Sequence, residues 1–253
     1  MLSRLHHWSR SVTARLPALL PSSCALCGIS NRDTICPSCR IRYTEQHRHR
    51  HRCRQCALPL PSIALTVGAE RCGACLDQPP AYDTTIAAID YAAPLDQLVL
   101  ALKFHGRLAM APLFGQLLRD AMLGSAALQL ELPSLLAPVP LSDARLARRG
   151  FNQALEIARP LSLSLGIRLE PRLLFRTRDT LAQSTLHLEQ RQQNMRAAFA
   201  VSDAYVESLR GRHVGVVDDV MTTGATLHEL AATLKRFGVA RVTNFVFART
   251  VVK

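Results

Sequence analysis

The sequence predicts an α/β protein: a mostly parallel sheet with helices on both faces, preceded by a small Cys-rich module. Three observations carry that expectation. After residue 80, apolar stretches of strand length and of helical spacing alternate, and such alternation implies parallel strands joined by helical crossovers. Residues 214–226 pass from an apolar run through a short polar turn into helical periodicity. All eight cysteines lie before residue 76, in four Cys-x-x-Cys pairs.

The elements follow in order. Residues 85–92 read as a strand and 95–104 as a short helix. Residues 107–122 carry Leu108, Leu113, Leu117 and Leu118 at helical spacing. Residues 135–139 form a short buried strand. Residues 151–165 form a helix with Pro160 inside, where the missing N–H bends it. Residues 173–176 are a further strand. Residues 213–218 and 242–249 are the clearest strands, and Leu227, Leu230, Ala231, Leu234 and Phe237 mark the helix between them. Gln78, Pro79 and Pro80 set a compositional boundary. The expected organisation is an extension over 1–23, a double zinc-binding module over 24–80 and an α/β domain over 81–253.

The pairs Cys24/Cys27, Cys36/Cys39, Cys53/Cys56 and Cys72/Cys75 have the spacing of zinc knuckles. Each pair supplies two thiolates, so eight ligands make two tetrahedral sites. Sequential pairing is the simplest arrangement, and an interleaved one also satisfies the count. A closed four-thiolate shell leaves no open position for substrate, so both zinc ions are structural. The segment is too short and polar to bury a core without metal, and zinc is expected to fold it.

The chain of 253 residues has a net charge of +12, 48% hydrophobic and 20% charged residues. That balance suits a folded core and an anionic partner such as a nucleotide, pyrophosphate or nucleic acid. No apolar run reaches membrane-span length. The first 23 residues carry Arg4, Arg10 and Arg15 but lack a secretory apolar core, and a cytoplasmic location is the expectation. Residues 40–54 hold six arginines and three histidines against Glu45 alone. Two readings stand: Arg48, Arg50 and Arg52 track a single-stranded DNA backbone, or the run is a solvated linker.

The turn at 218–226 carries the chemistry. Asp218 and Asp219 end the strand; Thr222, Thr223, Gly224, Ala225 and Thr226 lead into the helix. A helix N-terminus offers free N–H groups and partial positive charge, which receive a phosphate. Threonine hydroxyls add donors, and glycine lets the backbone approach. The two carboxylates can accept hydrogen bonds from vicinal sugar hydroxyls or help hold Mg²⁺. The Gly-Lys-Ser/Thr ending of a Walker loop is missing. A second turn, after residues 135–139, carries Arg145, Arg148, Arg149 and Gly150 ahead of the helix at Phe151, an arrangement suited to pyrophosphate.

Residues 214–226 resemble the phosphoribosyl-pyrophosphate (PRPP) loop of type I phosphoribosyltransferases. The resemblance implies that Asp218 and Asp219 meet the ribose hydroxyls and that residues 222–226 hold the 5′-phosphate. In purine-salvage members an aspartate stands where this chain has Thr222, and that departure speaks against hypoxanthine or guanine as substrate. The order of motifs is also telling: cysteine knuckles, then Leu102-Lys-Phe-His-Gly106, then Arg149-Gly-Phe-Asn-Gln153, then the acid pair and Thr-rich turn. From Cys24 onward the chain resembles the ComF family and the related GntX-type proteins. That resemblance implies a zinc ribbon joined to a phosphoribosyltransferase-like domain, PRPP with Mg²⁺ as ligand, and a role in DNA uptake or utilisation beside other DNA-uptake proteins. Residues 176–196 resemble the loop that closes over PRPP in this fold, and equally an amphipathic surface helix. Two functions remain in contention, phosphoribosyl transfer to an unknown acceptor and non-catalytic binding of single-stranded DNA.

Overall fold

The computed structural model describes residues 22–48, 50–66, 70–124, 131–177 and 198–251. The elements of the α/β unit are β1 (Thr84–Asp90), α1 (Asp96–His105), α2 (Ala111–Gly124), β2 (Leu135–Pro138), α3 (Asp143–Arg149), α4 (Gln153–Leu165), β3 (Arg168–Leu169), β4 (Leu174–Arg176), β5 (Phe199–Val201), β6 (His213–Met221), α5 (Ala225–Arg236) and β7 (Arg241–Arg249). Five strands form one sheet in the order β1–β7–β6–β2–β3, every pair parallel.

Along much of this sheet side chains alternate between the two faces, as a pleat requires. On β6, Val214 and Val216 face one core, with Leu227, Leu230 and Leu234 of α5. Val217 faces the other core, beside Leu98 and Leu102 of α1, Phe114 of α2 and Ile157 of α4. Phe114 stacks on Phe247 of β7 with ring centroids 3.5 Å apart. Both faces are therefore covered, which is why the strands read as continuous apolar runs.

Three expectations change. The strand at 173–176 is real but lies outside the main sheet; β4 pairs antiparallel with β5 instead. The strand expected to stop at Asp218 continues to Met221, because β7 pairs with it up to Met221 and Arg249. Asp218 and Asp219 thus belong to the strand, not to the turn after it. The basic turn before Phe151 is in fact α3, entered at Ser142 and closed by Gly150 in the left-handed region at φ 80°.

The cysteine module sits astride edge strand β1. Its first half, with Cys24, Ile35, Cys36 and Cys39, packs into the core that holds Ile86 and Ala88. The second half, with Cys53, Cys56 and Cys75, packs into the opposite core with Ala87. Between the halves the chain crosses the strand edge, where the Arg54 carbonyl accepts a hydrogen bond from the Thr85 N–H at 3.1 Å.

That crossing is fixed at Asp90, at the end of β1. Arg52 reaches its carboxylate at 2.7 Å, Arg50 pairs with it as well, and His47 Nδ1 lies 3.6 Å away. Burial alone would raise the Asp90 carboxyl, but the bonds from His47 and Arg52 hold it down at about 2. Of the three arginines for which nucleic-acid contact was one of two readings, Arg50 and Arg52 pair with Asp90; Arg52 is only 12% exposed, while Arg50 stays 46% exposed. The Arg48 side chain, like residue His49, lies outside the described part.

Asp90→Asn leaves the Arg52 guanidinium buried beside a neutral partner, and denaturant unfolding should show a loss of about 3–5 kcal/mol. Because the folded carboxyl titrates below its unfolded range near 4, the stabilisation in the unsubstituted protein is intact above that pH. It should fade as pH falls through about 2, and the Asn variant should lack that component of acid destabilisation.

Candidate functional site

The carboxyl ends of β6 and β2 face one cleft, the position at which open parallel sheets bind ligands. Asp218, Asp219, Thr222, Gly224, Ala225 and Thr226 line one wall. Lys103 of α1, Arg145 of α3, Gln153 of α4 and Arg176 of β4 line the rest. The two stretches singled out in the sequence, some 70 residues apart, thus meet across a single cleft.

Adjacent carboxylates, one buried and one half-buried, repel, and the site shows how that is managed. Asp219 is buried and pairs with Lys103 Nζ at 2.9 Å. Asp218 Oδ1 accepts the Asp219 N–H at 2.9 Å, and Asp219 Oδ1 accepts the Val220 N–H at 2.8 Å. Burial, and next the Asp219 charge, still push the Asp218 carboxyl well above the usual carboxylate range, while Lys103 works the other way. A cation bound in the cleft would relieve that repulsion.

The turn after β6 is tight. Gly224 adopts φ 83°, and a Cβ there would stand 2.6 Å from Met221 Cε and 2.8 Å from the Tyr82 hydroxyl oxygen. Only glycine meets both demands. Thr223 is exposed, with its Oγ1 accepting the Ala225 N–H at 3.4 Å. The loop then enters the twelve-residue helix α5.

On the opposite wall, Asn152 caps α4. Its Oδ1 accepts from the Ala154 and Leu155 N–H groups, and its Nδ2 donates to the Val139 carbonyl at 3.0 Å. The cap pins the helix start to the end of β2. Arg149 donates to Gln153 Oε1 and lies 5.9 Å from the ring of Phe104, which is 68% exposed. Burial lowers the Arg149 guanidinium slightly, against the opposing pull of Asp219. Arg145 is half-buried at the cleft, Arg148 and Gly150 are exposed, and Arg148, Arg149 and Gly150 are not among the cleft-lining residues.

Cys24, Cys27, Cys36 and Cys39 form one cluster, and Cys53, Cys56, Cys72 and Cys75 a second; in each, the sulfurs all lie within 4.8 Å of one another. The pairing is sequential. The Cys36 N–H donates to Cys24 Sγ at 3.3 Å, as knuckle amides do toward thiolates. A hydrogen bond from Cys56 draws the Cys53 thiol well below the usual thiol range. Four converging cysteine sulfurs are the donor set of a structural zinc ion.

Lys103, Asn152 and Gln153 lay in stretches noted in the sequence, but no role was assigned to them there. Arg249 carries one signal, an arginine that ends the apolar run of residues 245–248. Residues 178–197, which include most of the candidate closing loop, lie outside the described residues.

A cysteine double ribbon, a five-stranded parallel sheet and an acid-pair loop at the strand ends together define a phosphoribosyltransferase-domain protein with an N-terminal zinc module. The family described as "Phosphoribosyl transferase domain" matches residues 122–250, and "Double zinc ribbon domain" matches residues 16–76. The chain is 34% identical to DNA utilization protein YhgH of Escherichia coli K12 over 90% of both chains. It is 32% identical to the YhgH protein of Salmonella typhimurium over 91% of this chain and 98% of that one. Competence protein F of Haemophilus influenzae shares 32% identity over 86% of this chain and 91% of its own. The chain therefore belongs to the ComF family, to which its motifs pointed. Among solved structures, the allosteric regulatory enzyme of purine biosynthesis aligns with 54% of this chain at 19% identity and a TM-score of 0.32; the chain covers 25% of that enzyme's length. No helix among the described residues is long and apolar enough to cross a membrane.

Elemental analysis of protein purified without chelator should find two zinc ions per chain, one for each four-sulfur cluster. Lys103→Met should destabilise the fold by about 3 kcal/mol, since it leaves the Asp219 charge buried without its partner. Lys103→Met combined with Asp219→Asn should recover much of that loss, as a double-mutant cycle by denaturant unfolding will show.

Proposed function

We propose that the cleft binds PRPP with Mg²⁺ and that the protein acts in the uptake or utilisation of DNA. One observation carries the first part: Asp218, Asp219, Thr222, Gly224, Ala225 and Thr226 share a cleft with Arg145. The phosphoribosyl transferase domain match supports it, and the names of the relatives support the second part.

In this reading Asp218 and Asp219 accept hydrogen bonds from the ribose hydroxyls and would help hold Mg²⁺. The donor set fits such a cation: two adjacent carboxylates, with the Asp218 carboxyl raised by burial and by its neighbour's charge. Thr222, Thr223, Gly224, Ala225 and Thr226 take the 5′-phosphate at the start of α5. Arg145, Arg148, Arg149 and Gly150 serve the pyrophosphate. If transfer to an acceptor occurs, these arginines stabilise negative charge that grows on the leaving group. Gln153 holds Arg149 in place, and Lys103 holds the Asp219 carboxylate in position through their ion pair. The two zinc ions are structural and take no part in the chemistry.

A second reading keeps the fold and binds single-stranded DNA without catalysis. The observation favouring it is Phe104, which is 68% exposed beside Arg149. An open aromatic face among basic groups suits an unpaired base. Arg48 remains the further candidate from the linker, since Arg50 and Arg52 are engaged with Asp90.

Calorimetric titration with Mg²⁺–PRPP, and separately with a short single-stranded oligonucleotide, separates the readings. Asp218→Asn with Asp219→Asn should abolish PRPP binding. Asp218→Asn alone should keep or raise the melting temperature while weakening binding, because it removes a charge that burial disfavours. Thr223→Val should cost about 1.5–3 kcal/mol of binding through one lost charge-assisted hydrogen bond. Unchanged PRPP affinity in the double Asp variant would overturn the assignment.

A further inference from the structure

We infer that Arg249 is a positioning residue that ties the second cysteine cluster to the loop at 221–224, so that metal in that cluster, rather than in the first, governs ligand affinity in the cleft. The inference rests on the reading of the cleft as a PRPP site.

Arg249 closes β7 and is buried. Its Nε donates to the carbonyl of Cys56, a member of the second cluster, at 2.9 Å. Its Nη1 donates to the carbonyls of Met221, at 3.2 Å, and of Thr222. One planar guanidinium therefore spans the knuckle and the loop, and its fixed fork sets where both must lie. The consequence for the loop follows from peptide geometry. A trans peptide carries its N–H opposite its carbonyl. With the Met221 and Thr222 carbonyls drawn toward the ribbon, the N–H groups of Thr222 and Thr223 point away from it. The donors of the phosphate turn are thus aimed from behind by Arg249.

Two more contacts run the same way. Gln55, between the knuckle cysteines, donates to the Tyr82 carbonyl at 3.1 Å and to the Pro80 carbonyl at 3.2 Å. Tyr82 is buried, and its hydroxyl backs Gly224 at the distance that excludes a Cβ. The Ala81 N–H donates to His228 Nδ1, in the first turn of α5, at 3.1 Å. Met221 and Tyr82 share one core with Cys53, Cys56 and Cys75. The first cluster belongs to the core on the opposite face of the sheet.

The test uses the full-length chain, with Mg²⁺–PRPP as the calorimetric probe, zinc content by elemental analysis, and hydrogen exchange at residues 221–225. Arg249→Met should retain both zinc ions and cooperative unfolding, speed exchange in the loop, and weaken PRPP binding about tenfold or more. Arg249→Lys should recover part of both changes, since an ammonium can still donate to one side. Cys72→Ser should reproduce the loop exchange and the loss of affinity. Cys27→Ser should release zinc from the first cluster yet weaken binding several-fold less than Cys72→Ser. Equal weakening by the two cysteine variants, or native exchange and affinity in Arg249→Met, overturns the inference. If Arg249→Met fails to fold, Arg249→Lys and Cys72→Ser decide the matter by the same readouts. If the unsubstituted protein binds no PRPP, the cleft assignment fails on its own, and loop exchange alone judges the role of Arg249.

Discussion

Two neighbouring carboxylates at the end of a buried parallel strand impose the main constraint on this molecule. Asp218 and Asp219 repel one another where little water reaches, and the surroundings answer with opposite charge. Lys103 comes from α1 to meet Asp219 at 2.9 Å, and the strand's own N–H groups fill further acceptor positions. The raised Asp218 carboxyl shows that compensation is incomplete. In the ligand complex proposed above, a cation or a sugar diol beside the pair would discharge this residual repulsion.

The cysteine module is integral to the α/β unit rather than appended to it. Its halves enter the two cores on opposite faces of the sheet, and the Asp90 clamp fixes the passage between them. Eight thiols alone would make a loose packing partner. With metal at each cluster, short turns such as Pro37–Arg40 and Gly73–Asp77 become rigid enough to serve as core walls. The basic run between them, which by composition suits a polyanion, has part of its charge directed inward to a single aspartate.

What was legible in the sequence was what is local in the chain. The four knuckles and the Asp-Asp-to-Thr-rich turn carry their chemistry within a few consecutive residues, and the alternation after residue 80 gave the parallel sheet. What depends on distant partners was not legible. The strand beyond Asp218 exists because Arg249 pairs with Met221 in the ladder. β4 leaves the main sheet because β5, far along the chain, pairs with it. Arg50 and Arg52 read as available because Asp90, nearly 40 residues on, gave no sign that it would lie between them. The helix α3 was the avoidable miss: Ser142 followed by Asp143, and Gly150 after Arg149, are ordinary start and stop signals.

The two edges of the sheet differ in how they are protected. At one, β3 has only two residues and offers little to pair with. At the other, β1 is seven residues long and apolar, and the crossing chain covers its outer side through the Thr85–Arg54 hydrogen bond. A long bare strand of that character is a template for joining copies of the chain edge to edge. Metal that holds the ribbon in place therefore also keeps that edge covered. Starving cells of zinc during synthesis would convert a folding defect in a small module into aggregation of the whole chain, seeded at β1.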